Sequence, residues 1–162
     1  MTGIPGISYE DLEEVRSLLR GKRRAGRTIF LAGNGGSFTT ALHWGLDLQK
    51  VLQLRTHVLG SNVGGLTAWS NDISYEDALK SEFEVLGREG DVLICLSCSG
   101  SSPNIVSVIK LANDRDNDTV LLTSRRCLSS TADLILRVDA DDYGLIEDAH
   151  LVMLHQLLRR FY

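Results

Sequence analysis

Two short segments, each mixing glycine with hydroxyl or amide side chains, carry the most legible chemistry in this chain: Gly33-Asn34-Gly35-Gly36-Ser37 and Ser97-Cys98-Ser99-Gly100-Ser101-Ser102. Each follows an apolar run and precedes a helical pattern. In that setting, free backbone N–H groups and the positive end of the helix dipole favour an anion. The first segment is not the dinucleotide fingerprint, because the third glycine of that motif would be Phe38, and it lacks the Lys-Ser/Thr of a Walker loop. Asn34 and Ser37 add side-chain donors beside Gly35 and Gly36. The second segment brings Ser97, Ser99, Ser101 and Ser102 to the start of another helix, with Cys98 among them and no cation in the run. Neutral donors and a dipole suit a phosphate monoester better than a nucleotide with magnesium. Glycine and serine are also common in ordinary strand-to-helix turns, but two such loops in one small domain point to binding.

His43 and Asp47 stand four residues apart in the helical pattern after the first loop, so they share one face. An imidazole and a carboxylate so placed make half of a zinc site, although a capped or core histidine would look the same. Cys95-x-x-Cys98 has a redox spacing, yet Cys95 falls inside a strand, so structural thiols are expected; Cys98, in the anion loop, is placed for a lowered pKa. His57 and His150 have no evident partner and are read as solvent or packing residues. Trp44 and Trp69 are read as core or subunit contacts, and Arg125-Arg126 as a solvated turn that could attract an anion.

These groups must be held by a scaffold. Ser8 opens a capping box, S-Y-E-D, ahead of apolar residues at helical spacing, which predicts a helix over 9–23. Strands are expected over 28–32, 56–59, 92–97, 119–123 and 134–138. Helices are expected over 37–50, 74–86, from Pro103 to about Asn113, and 145–162. Val92–Ser97 is continuously apolar, as in a strand buried on both faces. Alternating strands and helices predict an α/β fold, a three-layer αβα sandwich around a five-stranded, mainly parallel sheet. Ligands of such sheets bind beyond the carboxyl ends of the strands, where both loops fall.

The 162 residues include 43% hydrophobic and 23% charged side chains, and Lys+Arg 17 against Asp+Glu 21 leaves a net charge of −4. One domain over 1–162 is expected. The acidic balance without a basic stripe argues against a nucleic-acid partner. No apolar run approaches the roughly 20 residues that cross a bilayer, and the amino-terminal segment lacks a signal-peptide pattern. Three cysteines, an odd number, suit free thiols in a reducing cytoplasm.

The pair GNGGS and S-x-S-G-x-S-x-N resembles the sugar isomerase (SIS) domain family, of flavodoxin-like fold. Further likeness lies in Asn71-Asp72, Gly87–Ser97 and the closing I-E-D-A-H-L-V-M-L-H at Ile146–His155; it runs from about Arg27 to the carboxyl terminus and is nearest to the phosphoheptose isomerases. The resemblance implies a sedoheptulose 7-phosphate-like sugar phosphate held on Ser97, Ser99 and Ser102, with Asn34 and Ser37 nearby. It implies zinc on His43, Asp47, Glu147 and His155, where the family carries His, Glu, Gln and His. Asp47 is then the expected base and His155 the acid of an aldose–ketose shift through an enediol. Asp72 is expected to accept sugar hydroxyls, or else to cap the helix before Ser74. Glu147 and His155 lie about 12 Å apart along a regular helix, so sharing one ion requires a frayed helix start or ligands from different subunits. A homo-oligomer, dimer or tetramer, with sites at subunit contacts is implied. The family's Arg and Asp are Val51 and Gly144 here. These departures keep open an isomerase of a different phosphosugar, or a non-catalytic SIS module that binds a sugar phosphate or another protein.

Overall fold

The computed structural model describes residues 4–159. Along them run α1 (Tyr9–Arg24), β1 (Thr28–Gly33), α2 (Gly35–Lys50), β2 (Arg55–Val58), α3 (Val63–Asp72), α4 (Tyr75–Leu86), β3 (Val92–Leu96), α5 (Pro103–Asp114), β4 (Asp118–Ser124), β5 (Leu134–Val138) and α6 (Tyr143–Arg159). The expected α/β sandwich is present. Its five strands lie in the order β2-β1-β3-β4-β5, and every neighbouring pair is parallel.

Strand alternation builds two cores. Ile29 and Leu31 of β1, Val92, Ile94 and Leu96 of β3, and Val120 and Leu122 of β4 meet α1, α2 and α6 through Leu19, Trp44, Leu48 and Leu154. The intervening Phe30, Leu93, Cys95 and Leu121 meet α4 and α5 through Phe83, Ile105, Val108 and Ile109. A period of two sends successive side chains to opposite faces, which is why these strands read as unbroken apolar runs.

Helix ends follow sequence chemistry. Ser8 and Asp11 form the expected reciprocal capping box. Ser74 caps α4 by accepting from the Asp77 N–H, and Pro103 occupies the first turn of α5. One element went unread. The segment Val63–Asp72 is helical, yet buries none of its residues, so no apolar stripe marks it, and Gly64-Gly65 gives it the look of a loop. Asn62 starts it by accepting from the Gly65 N–H. The closing helix begins at Tyr143 rather than Leu145, with Asp142 accepting from the Leu145 N–H. Its expected last residues, 160–162, lie outside the described residues.

Candidate functional site

The order of the strands reverses between β1 and β3, the crevice where sheets of this type accept ligands. Both loops meet there. Gly33 ends β1 at a place where a Cβ would lie 2.6 Å from the Ser37 carbonyl carbon, so only glycine lets the turn close. Gly35 takes a left-handed φ of 55° and leads into α2. Asn34 does not cap that helix with its side chain. Its amide instead exchanges two hydrogen bonds with Asn104, at 2.9 and 2.8 Å, and accepts a third from the Tyr75 hydroxyl at 2.8 Å. The buried Asn104 thereby ties the two loops together. It stands in the serine motif, but its role and that of Tyr75 were not legible, because each depends on a partner remote in sequence.

The serine loop is held from behind. Ser97 N–H donates to the Leu122 carbonyl, and the Ser124 hydroxyl donates to the Cys98 carbonyl at 2.7 Å. Ser97 Oγ accepts from the Gly100 N–H and stands 3.5 Å from Ser102 Oγ. Ser102 starts α5 without spending its hydroxyl on a cap. The result is a cleft of about 290 Å³ walled by Asn34, Gly35, Gly36 and Ser37 on one side, by Ser97, Cys98, Ser99 and Ser102 on the other, and by Tyr143 and Glu147 of α6. Its donors are neutral hydroxyls and amides at the start of two helices, as an anion requires. A larger groove of about 620 Å³ lies between α4 and α5, lined in part by Lys80 and Lys110, but it is lined by neither the glycine loop nor the metal-capable side chains.

Glu147 is where the structure departs most from the expected ligand set. Its carboxylate rests on Gly36, so closely that a Cβ there would overlap it. It belongs to the cleft wall and not to the group of metal-capable side chains, which among the described residues comprises His43, Asp47 and His155. Eight helical residues separate Glu147 from His155, about 12 Å of axial rise, and α6 is unbroken between them.

The three remaining residues do converge. His43 Nε2 lies 3.3 Å from Asp47 Oδ2, the His43 and His155 rings meet edge-on with centroids 5.4 Å apart, and one ligand atom from each lies within 4.8 Å of the others. Two imidazoles and a carboxylate form the donor set of an open zinc site, so these residues fit such an ion. His43 is 43% exposed, so the cluster is open to solvent where α2 and α6 meet. Helices α2 and α6 both run from the cleft to this cluster; Ser37 and His43 are about 9 Å apart along the axis.

Other expected residues fall elsewhere. Asp72 ends α3, exposed, accepting from Asn71 Nδ2; it neither lines the cleft nor caps α4, a task done by Ser74. Cys98 reverses its expectation, since burial pushes its thiol pKa up, outweighing the hydrogen bond with Ser37, and the Glu147 charge adds to the rise. Burial also raises the Cys95 thiol, and all three cysteines are free and buried. His57, expected to be without a partner, pairs with the buried Glu82 at 2.9 Å. Glu82 also accepts from the Gly60 N–H, a link between β2 and α4 that no local pattern announces. His150 is fully buried, with Nε2 facing the Thr123 carbonyl, and burial pushes its pKa down to about 4. Trp44 is core and donates to the His150 carbonyl, whereas Trp69 is half-buried on α3. Val51 packs against the core. Gly144 lies in the first turn of α6.

Residues 8–124 match the SIS domain family. A phosphoheptose isomerase of Helicobacter pylori is 32% identical over 161 residues, covering 95% of this chain and 83% of that protein. The solved phosphoheptose isomerase of Neisseria gonorrhoeae superposes with a TM-score of 0.86 at 26% identity, covering 94% of this chain and 85% of that one. That of Francisella tularensis gives a TM-score of 0.85 at 24% identity, over 93% and 84%, a likeness of fold.

Proposed function

Since the chain belongs to the SIS domain family, in the branch of the phosphoheptose isomerases, we propose that it is a phosphosugar aldose–ketose isomerase acting on a sedoheptulose 7-phosphate-like ketose. The observation that carries this reading is the placement of a cleft of hydroxyl and amide donors and an imidazole–carboxylate cluster along the same two helices, α2 and α6. An open-chain seven-carbon sugar spans roughly 9–10 Å from phosphorus to its carbonyl end on ordinary bond lengths. That length matches the axial rise of about 9 Å from Ser37 to His43.

In this reading the phosphate sits on the N–H groups of Gly35 and Gly36 and on the hydroxyls of Ser37, Ser97, Ser99 and Ser102. The Asp47 carboxylate takes the proton from the carbon beside the carbonyl, and that C–H electron pair becomes the double bond of the enediol. His155 gives a proton to the carbonyl oxygen. Return of a proton to the former carbonyl carbon, with loss of the hydroxyl proton from the carbon first deprotonated, turns that carbon into the new carbonyl and completes the shift. Positioned acid–base groups of this kind contribute about 10²–10⁴ in rate. Zinc held by His43, Asp47 and His155 would supply Lewis-acid polarisation of the carbonyl. A carboxylate has two oxygens and an imidazole two nitrogens, so each residue can serve an ion through one atom and the sugar through the other. Asp47 reaches about 1.5 Å less far than the family's Glu.

Leu42 and Leu46 on α2 and Leu145 and Val152 on α6 are exposed apolar residues, which supports a homo-oligomer, dimer or tetramer, with sites at subunit contacts. The free, buried cysteines support a cytoplasmic setting for this single SIS domain. Among the described residues no helix is long and apolar enough to cross a membrane. Glu147 in the cleft, and glycine at position 144, favour as a second reading an isomerase of another phosphosugar.

The test is turnover of sedoheptulose 7-phosphate beside six-carbon phosphosugars, with and without zinc. The expected result is isomerisation by the wild type and a loss of at least about a hundredfold in Asp47→Ala and His155→Ala. Absence of turnover on every sugar, with and without metal, would defeat the isomerase reading.

A further inference from the structure

We infer that Arg126 is a phosphate-binding residue that supplies the positive charge the cleft wall lacks; this rests on the phosphosugar reading of that cleft. The wall carries neutral donors and the Glu147 carboxylate, so a dianion entering it meets a like charge that no cation of the wall offsets. Arg126 follows β4, and its guanidinium lies over the ring of Tyr143, 5.1 Å from the centroid, while Tyr143 is itself part of the cleft wall. Cation and aromatic face attract, which parks the planar group at the rim.

Further observations favour an arginine placed beside the serine loop and weakly held where it stands. Its neighbour Arg125 takes the carboxylates of both Asp139 and Asp141. Arg126 is left with a contact to Asp141 of 3.9 Å, too long for a hydrogen bond. Its backbone is fixed to the serine loop, since the Arg126 N–H donates to Ser124 Oγ at 3.2 Å and that hydroxyl donates to the Cys98 carbonyl. The guanidinium charge is also felt at the Cys98 thiol inside the cleft. A guanidinium presents paired N–H groups that match two phosphate oxygens.

The experiment compares wild type, Arg126→Gln, Arg126→Lys and Arg125→Gln in steady-state kinetics with sedoheptulose 7-phosphate at low and high ionic strength, beside thermal stabilisation by inorganic phosphate. Loss of one charge-assisted contact at a half-exposed site raises KM about tenfold. The expected pattern is that rise in Arg126→Gln, with kcat held within about twofold, a flatter dependence of KM on salt, and partial recovery in Arg126→Lys. Arg125→Gln, which breaks only the acidic pairs of the turn, keeps the wild-type KM. A KM in Arg126→Gln equal to wild type, or a fall in kcat with an unchanged salt dependence, overturns the inference and leaves the isomerase reading intact. If the wild type turns over no sugar but is stabilised by phosphate, and Arg126→Gln is not, the inference stands without the isomerase reading. Absence of both turnover and phosphate stabilisation in the wild type removes both.

Discussion

Replacing Glu147 by glutamine removes a full negative charge from the wall of the anion cleft while keeping the side chain's shape. Glu147 stands in the wall of the cleft of about 290 Å³ with its carboxylate against Gly36, and a phosphate bound at a separation of about 6 Å sets the scale of the effect. At that distance, with an effective dielectric between about 40 and 80, a dianion and a carboxylate repel by about 1.5–3 kcal/mol, or roughly ten- to a hundredfold in affinity. Arg126 offsets part of this, so Glu147→Gln should lower the KM for sedoheptulose 7-phosphate about tenfold. Bound zinc should be unchanged, because the metal-capable cluster is His43, Asp47 and His155. Both quantities are directly measurable, by steady-state kinetics and by metal analysis of the purified protein after dialysis against zinc. If Glu147 were instead a metal ligand, the KM would rise and bound zinc would fall. A variant with weaker substrate binding and depleted zinc would refute the placement of this carboxylate against the anion loop.

Two further expectations concern stability. Gly33→Ala drives a Cβ to 2.6–2.8 Å from the Ser37 and Phe38 backbone, so the first turn of α2 must move, at a cost of about 1–3 kcal/mol in urea denaturation. Gly36→Ala meets first the flexible end of Glu147 and should cost under about 1 kcal/mol, and equal losses in the two variants would contradict this reasoning. His150 titrates near 4 in the fold against about 6.5 when unfolded. The unfolded chain therefore takes up a proton that the folded chain refuses, and stability is full above about pH 6.5 and falls toward pH 4 by about 3 kcal/mol. His150→Gln should flatten that part of the urea-midpoint profile, and an unchanged slope would show that His150 is not the group responsible.

The sheet was legible because its signal is local. Runs such as Val92–Leu96, buried at every position, announce a strand covered on both faces whatever surrounds them. The loops were legible for the same reason, since glycine and hydroxyl residues between a strand and a helix already define a turn whose free N–H groups suit an anion. Helix α3 escaped because a helix that buries nothing leaves no periodic trace. The lowered thiol pKa expected for Cys98 failed because the loop's dipole was weighed without the burial that surrounds its sulfur.

By itself, then, the sequence determined the parallel α/β plan, the two loops at its carboxyl edge, and the shared helical face of His43 and Asp47, all set by spacings of a few residues. Tertiary structure alone decided which distant groups meet. It brought His155 to His43 while carrying Glu147 a further two turns away to Gly36, gave His57 its Glu82, and locked Asn34 to Asn104 and Tyr75. The physical reason is that helical and strand periods fix only the direction of a side chain about its own element. The group it faces is set by how elements far apart in the chain pack against one sheet.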